Sequence, residues 1–128
     1  MNSTKKESIA INALINEINK YDNLQENFNK RDKIPVWDGK IELYKKDSNK
    51  KDDIVGEIPV QVKGTNTKNK HNETYYDIEI VDIQAYQKTK TETIYFVVEI
   101  DKNRGTKIYY KIFDQKTIEE ILQSAQNQ

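Results

Sequence analysis

The sequence predicts a single α/β domain in which helices flank a central mixed β-sheet, in the order α-β-β-β-α-β-β-α. Three observations lead there. An amphipathic stretch opens the chain, period-two alternation fills its middle, and residues 94–100 are apolar at nearly every position, as in a strand covered on both faces. At 128 residues the chain has length for one hydrophobic core, so 1–128 is read as one domain.

Within residues 4–20, Ala10, Ile11, Leu14, Ile15 and Ile18 recur at helical spacing and form one apolar stripe. Thr4 is the expected N-cap, with Glu7 three residues later as in a capping box and on the stripe's side of the helix. Residues 21–33 are polar apart from Leu24 and Phe28, and fit either a short edge strand or an irregular connection. A strand is expected at 40–45, with Ile41 and Leu43 on one face and Glu42 and Tyr44 on the other. The run 46–53 is Lys, Asp, Asn and Ser throughout, a solvated hairpin loop. In the next strand, 57–63, Ile58, Val60 and Val62 point one way, and Glu57, Gln61 and Lys63 the other.

Beyond it, a polar loop at 65–73 carries Lys68, Lys70 and His71. A strand at 75–80 and a short helix at 82–88 are expected next, then the apolar strand 94–100. A turn at Asn103, Arg104 and Gly105 leads to a strand at 107–113, and a helix at 117–123 closes the domain.

Composition excludes more than it suggests. Apolar residues make up 35% and charged residues 33%, so a modest core is expected. Lysine plus arginine equal aspartate plus glutamate at 21 each, so no global positive field announces a nucleic-acid partner. Cysteine is absent, which removes disulfides and thiolate metal sites. The polar N-terminus does not read as a secretory signal and no apolar run approaches membrane-spanning length, so a cytoplasmic protein without a membrane partner is expected. No Gly-rich phosphate loop, Ser-His-Asp set or zinc cluster is visible, and His71 stands alone in its loop.

What remains is an oxygen-rich constellation. Asp38, in Trp37-Asp38-Gly39, enters the first clear strand, and Gln61-Val62-Lys63 ends the strand expected to pair with it. Hydrolysing a phosphodiester needs charge stabilisation and an activated water, which a hard divalent cation on oxygen ligands supplies. Taken singly, Asp38 also suits a turn, Gln61 and Lys63 suit a half-exposed strand, and Glu7 suits a helix cap.

Together these residues resemble the PD-(D/E)XK restriction-endonuclease-like superfamily, over roughly residues 4–122. Trp37-Asp38-Gly39, then Ile58-Pro59-Val60-Gln61-Val62-Lys63-Gly64, then the strand 94–100, is similar to the branch of endonuclease-like domains found at the N-terminus of bacterial anti-phage proteins. The resemblance implies a Mg²⁺- or Mn²⁺-dependent DNA endonuclease acting against foreign DNA. In that reading Asp38 is the principal metal ligand, joined by the Gln61 side-chain oxygen and the Val62 carbonyl. Lys63 orients the attacking water or steadies phosphate charge, and Glu7 completes the site from the first helix.

The departure is Gln61, which stands where the family usually carries its second acid; Glu42, Glu57 and Glu79 are spare carboxylates. Gln61 also supports the alternative, a catalytically silent module that binds nucleic acid or a protein partner. Lys68 and Lys70 suit phosphate contact or plain solvation. A homodimer would suit double-strand cleavage, and the Gln126-Asn127-Gln128 tail fits either a natural end or a cut ahead of further domains.

Overall fold

The first helix is set by its apolar stripe. In the computed structural model, which describes residues 2–28, 37–45, 53–67 and 78–126, α1 (Ser3–Ile18) buries Ala10, Ile11, Leu14 and Ile18 against the sheet. Its cap is Asn2, whose Oδ1 accepts from Lys5 N at 2.8 Å, and Thr4 lies inside the first turn. This corrects the expected cap: the Asn2 side chain satisfies a free N–H of the first turn, so the helix begins earlier.

Among the described residues, five strands form one sheet in the order β1-β2-β3-β4-β5. They are β1 (Leu24–Asn27), β2 (Gly39–Tyr44), β3 (Ile54–Asn66), β4 (Thr93–Ile100) and β5 (Thr106–Phe113). Only β3 and β4 run parallel. Of the two alternatives for residues 21–33, the edge strand is realised at β1, and residues 29–33 lie outside the described ones. Gly39 is dictated by that edge, because a Cβ there would stand 2.5 Å from Asn27 O and 2.7 Å from Phe28 Cδ1.

Strand β3 is longer than its alternation predicts because it serves two partners in succession. Residues 54–60 pair antiparallel with β2, and residues 60–66 pair parallel with β4. Ile58, Val60 and Val62 do share the face that meets α1. On β2 the two faces are as expected, with Ile41 and Leu43 lining one groove and the Tyr44 hydroxyl donating to Glu42 on the other face. A register shift opposite Leu43 and Tyr44 passes over Val55 of β3, and there Tyr44 is buried while Leu43 is exposed.

The helix order is as expected, but one strand is not. Residues 75–77 lie outside the described ones, Ile78 and Glu79 have no regular structure, and Ile80 opens α2 (Ile80–Thr89). Among the described residues, the strands before α2 are therefore 24–27, 39–44 and 54–66. Ile83 and Tyr86, three apart and both buried, fix the helical period there. The last helix, α3 (Gln115–Gln126), buries Ile118 and Leu122.

Two apolar layers result. Ile94, Phe96, Val98 and Ile100 of β4 face α1, while Tyr95 and Val97 join Ile83, Tyr86, Phe113, Ile118 and Leu122 beneath α2 and α3. Strand β4 is thus covered on both faces. No helix among the described residues is long and apolar enough to cross a membrane.

Asp114 precedes α3, and its Oδ1 accepts from Thr117 N at 2.8 Å. Hydrogen bonds from the Thr117 backbone and then its hydroxyl hold the Asp114 carboxyl below its ordinary 3.8. A folded-state value below the unfolded one stabilises the fold above the unfolded value, and that contribution is lost as pH falls through the folded value. Asp114→Ala is accordingly expected to lower the thermal midpoint near neutral pH. Thermal melts in progressively acidic buffer should show the gap from wild type closing as pH drops below 3.8.

Candidate functional site

The site forms where β3 changes partners. The β2 ladder ends at Gly39 opposite Val60, and the β4 ladder begins at Val60 opposite Ile94. Just beyond β2, Asp38 N donates to Val60 O at 2.9 Å, and Asp38 Oδ2 accepts from Val62 N at 2.7 Å. The Asp38 carboxylate thus stands in for a strand carbonyl along the edge of β3, beside the peptide that links Gln61 to Val62. Asp38 is no turn residue here.

Gln61 and Lys63 point to the face away from α1, in register with Tyr95 and Val97 of β4. Lys63 is exposed and Gln61 half-buried. The Gln61 amide is engaged at both ends. Its Nε2 donates to Asp82 Oδ2 at 3.0 Å, and its Oε1 accepts from the Tyr86 hydroxyl, both partners on α2. Trp37 closes this end of the site: its Nε1 donates to Thr93 Oγ1 at 2.9 Å, and its ring stacks on Tyr86 with centroids 5.8 Å apart.

Burial, reinforced by the charges of Asp82 and Asp38, raises the Tyr86 phenol, which is held as a hydrogen-bond donor. Burial likewise pushes the neighbouring Tyr95 phenol up to about 12, with Asp82, Asp38 and Glu79 adding to it. Both carboxylates therefore act on one pair of buried rings.

Asp38, Gln61 and Val62 are thus brought together, with Lys63 next along the strand. Glu7 sits half-buried on α1, on the opposite face of the sheet. Its turn runs beside β3 at Gly64, where a Cβ would meet Lys6 O at 2.6 Å. Lys68 and Lys70 lie outside the described residues, as does His71. Of the spare carboxylates, Glu42 accepts from Tyr44 OH at 2.7 Å, Glu57 pairs with Lys40 at 2.9 Å, and Glu79 precedes α2. The acid that does reach Gln61 is Asp82, which no motif in the sequence singles out. Its four-residue spacing from Tyr86 puts both on one side of α2, a signal that is present but weak.

The donors here are carboxylate, amide and backbone oxygens, the chemistry of a hard cation. Among the described residues no group of three or more His, Cys, Asp and Glu side chains could hold a metal ion. That still suits Mg²⁺, which binds through one or two carboxylates and keeps several waters. A carbonyl oxygen has two lone pairs, so Gln61 Oε1 can accept from Tyr86 and also ligate.

A separate groove of about 1040 Å³ lies on the α1 face, lined by Leu14, Ile18, Ile41, Ile58, Phe96 and Ile108 among others. Neither Asp38, Gln61 nor Lys63 lines it.

Comparison with known proteins finds no matching family model, no matching curated protein and no matching solved structure.

Proposed function

We propose that this domain is a divalent-metal-dependent DNA endonuclease with a restriction-endonuclease-like core, working in bacterial defence against foreign DNA. The observation that supports it is the Asp38 carboxylate hydrogen-bonded to Val62 N, between Gln61 and Lys63, where β3 exchanges β2 for β4. Asp38, the Gln61 side-chain oxygen and the Val62 carbonyl would hold the cation. When bound, such an ion stabilises charge at phosphorus and acidifies a water. The Lys63 ammonium, exposed on the same face as Gln61, meets phosphate charge or orients the attacking water. Trp37 and Tyr86 give the site a packed floor.

The test is nicking of supercoiled plasmid by the 128-residue chain. Cleavage in Mg²⁺ or Mn²⁺ that stops on chelation is the expected result. A second reading, a catalytically silent module of the same fold, is favoured by one observation: both ends of the Gln61 amide are already engaged by α2. DNA binding without cleavage in either metal would select it.

A further inference from the structure

A glutamine next to a carboxylate can be oriented in only one useful way. An ionised carboxylate accepts and never donates, so the Gln61 nitrogen must face Asp82, which leaves its oxygen for the Tyr86 hydroxyl. Both partners sit on the same side of α2, and the stack of Trp37 on Tyr86 fixes the ring that carries the hydroxyl. A carboxylate at position 61 would bring a second negative charge to the place where the amide nitrogen now lies 3.0 Å from Asp82. Like charges so close cannot both ionise cheaply. The neutral side chain on β3 and the acid on α2 are therefore two halves of one arrangement.

We infer that Asp82 is the second acid of this site and the positioning residue of Gln61, its charge supplied from α2 instead of from β3. The inference rests on the nuclease reading above. Asp38 and Asp82 approach Gln61 from different elements, Asp38 through the strand edge at Val62 N and Asp82 through the amide itself. A cation held by the Gln61 oxygen would feel both carboxylates. Removing Asp82 would free the amide to turn, so Gln61 would lose its orientation and the site would lose half of its fixed negative charge.

The experiment exchanges the two groups. Gln61→Glu is expected to lower the thermal midpoint, because it sets two carboxylates against each other. Adding Asp82→Asn to it should restore the midpoint towards wild type, since the introduced asparagine amide donates to the introduced glutamate. Destabilisations that merely add in the double variant would overturn the pairing.

Calorimetric titration with Mn²⁺ alone then separates a positioning residue from a packing one. Asp82→Asn is expected to weaken Mn²⁺ binding by ~10–100-fold, and the exchanged double variant to recover most of it. Unchanged Mn²⁺ affinity in a folded Asp82→Asn protein would overturn the role as second acid. If the wild-type chain binds no Mn²⁺, the metal reading of Asp38, Gln61 and Lys63 falls and the second-acid role falls with it; coupling in the melts would then show Asp82 as the partner of Gln61 only.

Discussion

Asp38→Asn is expected to leave the domain folded while lowering metal-dependent plasmid nicking by ~10²–10³-fold, the loss typical of removing one preorganised electrostatic group. The asparagine oxygen can still accept from Val62 N, as Asp38 Oδ2 does at 2.7 Å, so the join between the start of β2 and β3 survives. What disappears is the charge. Asp38→Ala removes both, and it should also cost stability, about 1–3 kcal/mol for a strand N–H that has lost its acceptor. Lys63→Ala separates the effects from the other side. Lys63 is exposed, so its loss should change stability by no more than about 0.5 kcal/mol while abolishing most cleavage. Nicking by the wild-type chain that persists unchanged in folded Asp38→Asn and Lys63→Ala proteins would mean that this constellation does not cut DNA.

How far the sequence foretells the site depends on the range of the interactions involved. The alternation of Ile58, Val60 and Val62 with Gln61 and Lys63 is local, and by itself it puts Gln61 and Lys63 on one face of the strand. The apolar run of β4 likewise announces burial on both faces. By contrast, the length of β3 follows from its having two partners, and neither ladder is visible in the strand's own composition. The described end of the expected strand at 75–80, residues 78–80, is not a strand for a related reason. Ile78 and Ile80 alternate as a strand would, but Ile83 and Tyr86 bury at helical spacing against Phe113, Ile118 and Leu122, and α2 extends back to Ile80. Asp82 is barely legible because its partner lies 21 positions away, and apart from its four-residue spacing from Tyr86 nothing near it in sequence distinguishes it from a solvated acid in a first helical turn.

The other large effect belongs to the opposite face of the same strand. At Gly64 an added Cβ would stand 2.6 Å from Lys6 O, 3.0 Å from Lys6 C and 3.2 Å from Ala10 Cβ. Two of these neighbours are backbone atoms of α1, which no change of rotamer can move. Gly64→Ala must therefore lift the first turns of α1 off β3, and overpacking of this kind costs about 1–3 kcal/mol. In a domain whose total stability is of order 5–15 kcal/mol, such a loss is easily measured as a lower midpoint in thermal or urea melts. The bulkier Gly64→Val should cost more. An unchanged midpoint in Gly64→Ala would mean that α1 slides without penalty and that its seat is not set at Gly64. The same substitution also probes Glu7, which rides on the displaced turn one residue after Lys6. If Glu7 completes the site, Gly64→Ala should reduce nicking even at temperatures where the variant is fully folded, although Asp38, Gln61 and Lys63 keep their own hydrogen bonds and register. If Glu7 serves α1 alone, the folded variant should cut as well as wild type, and the loss will appear only in the melts.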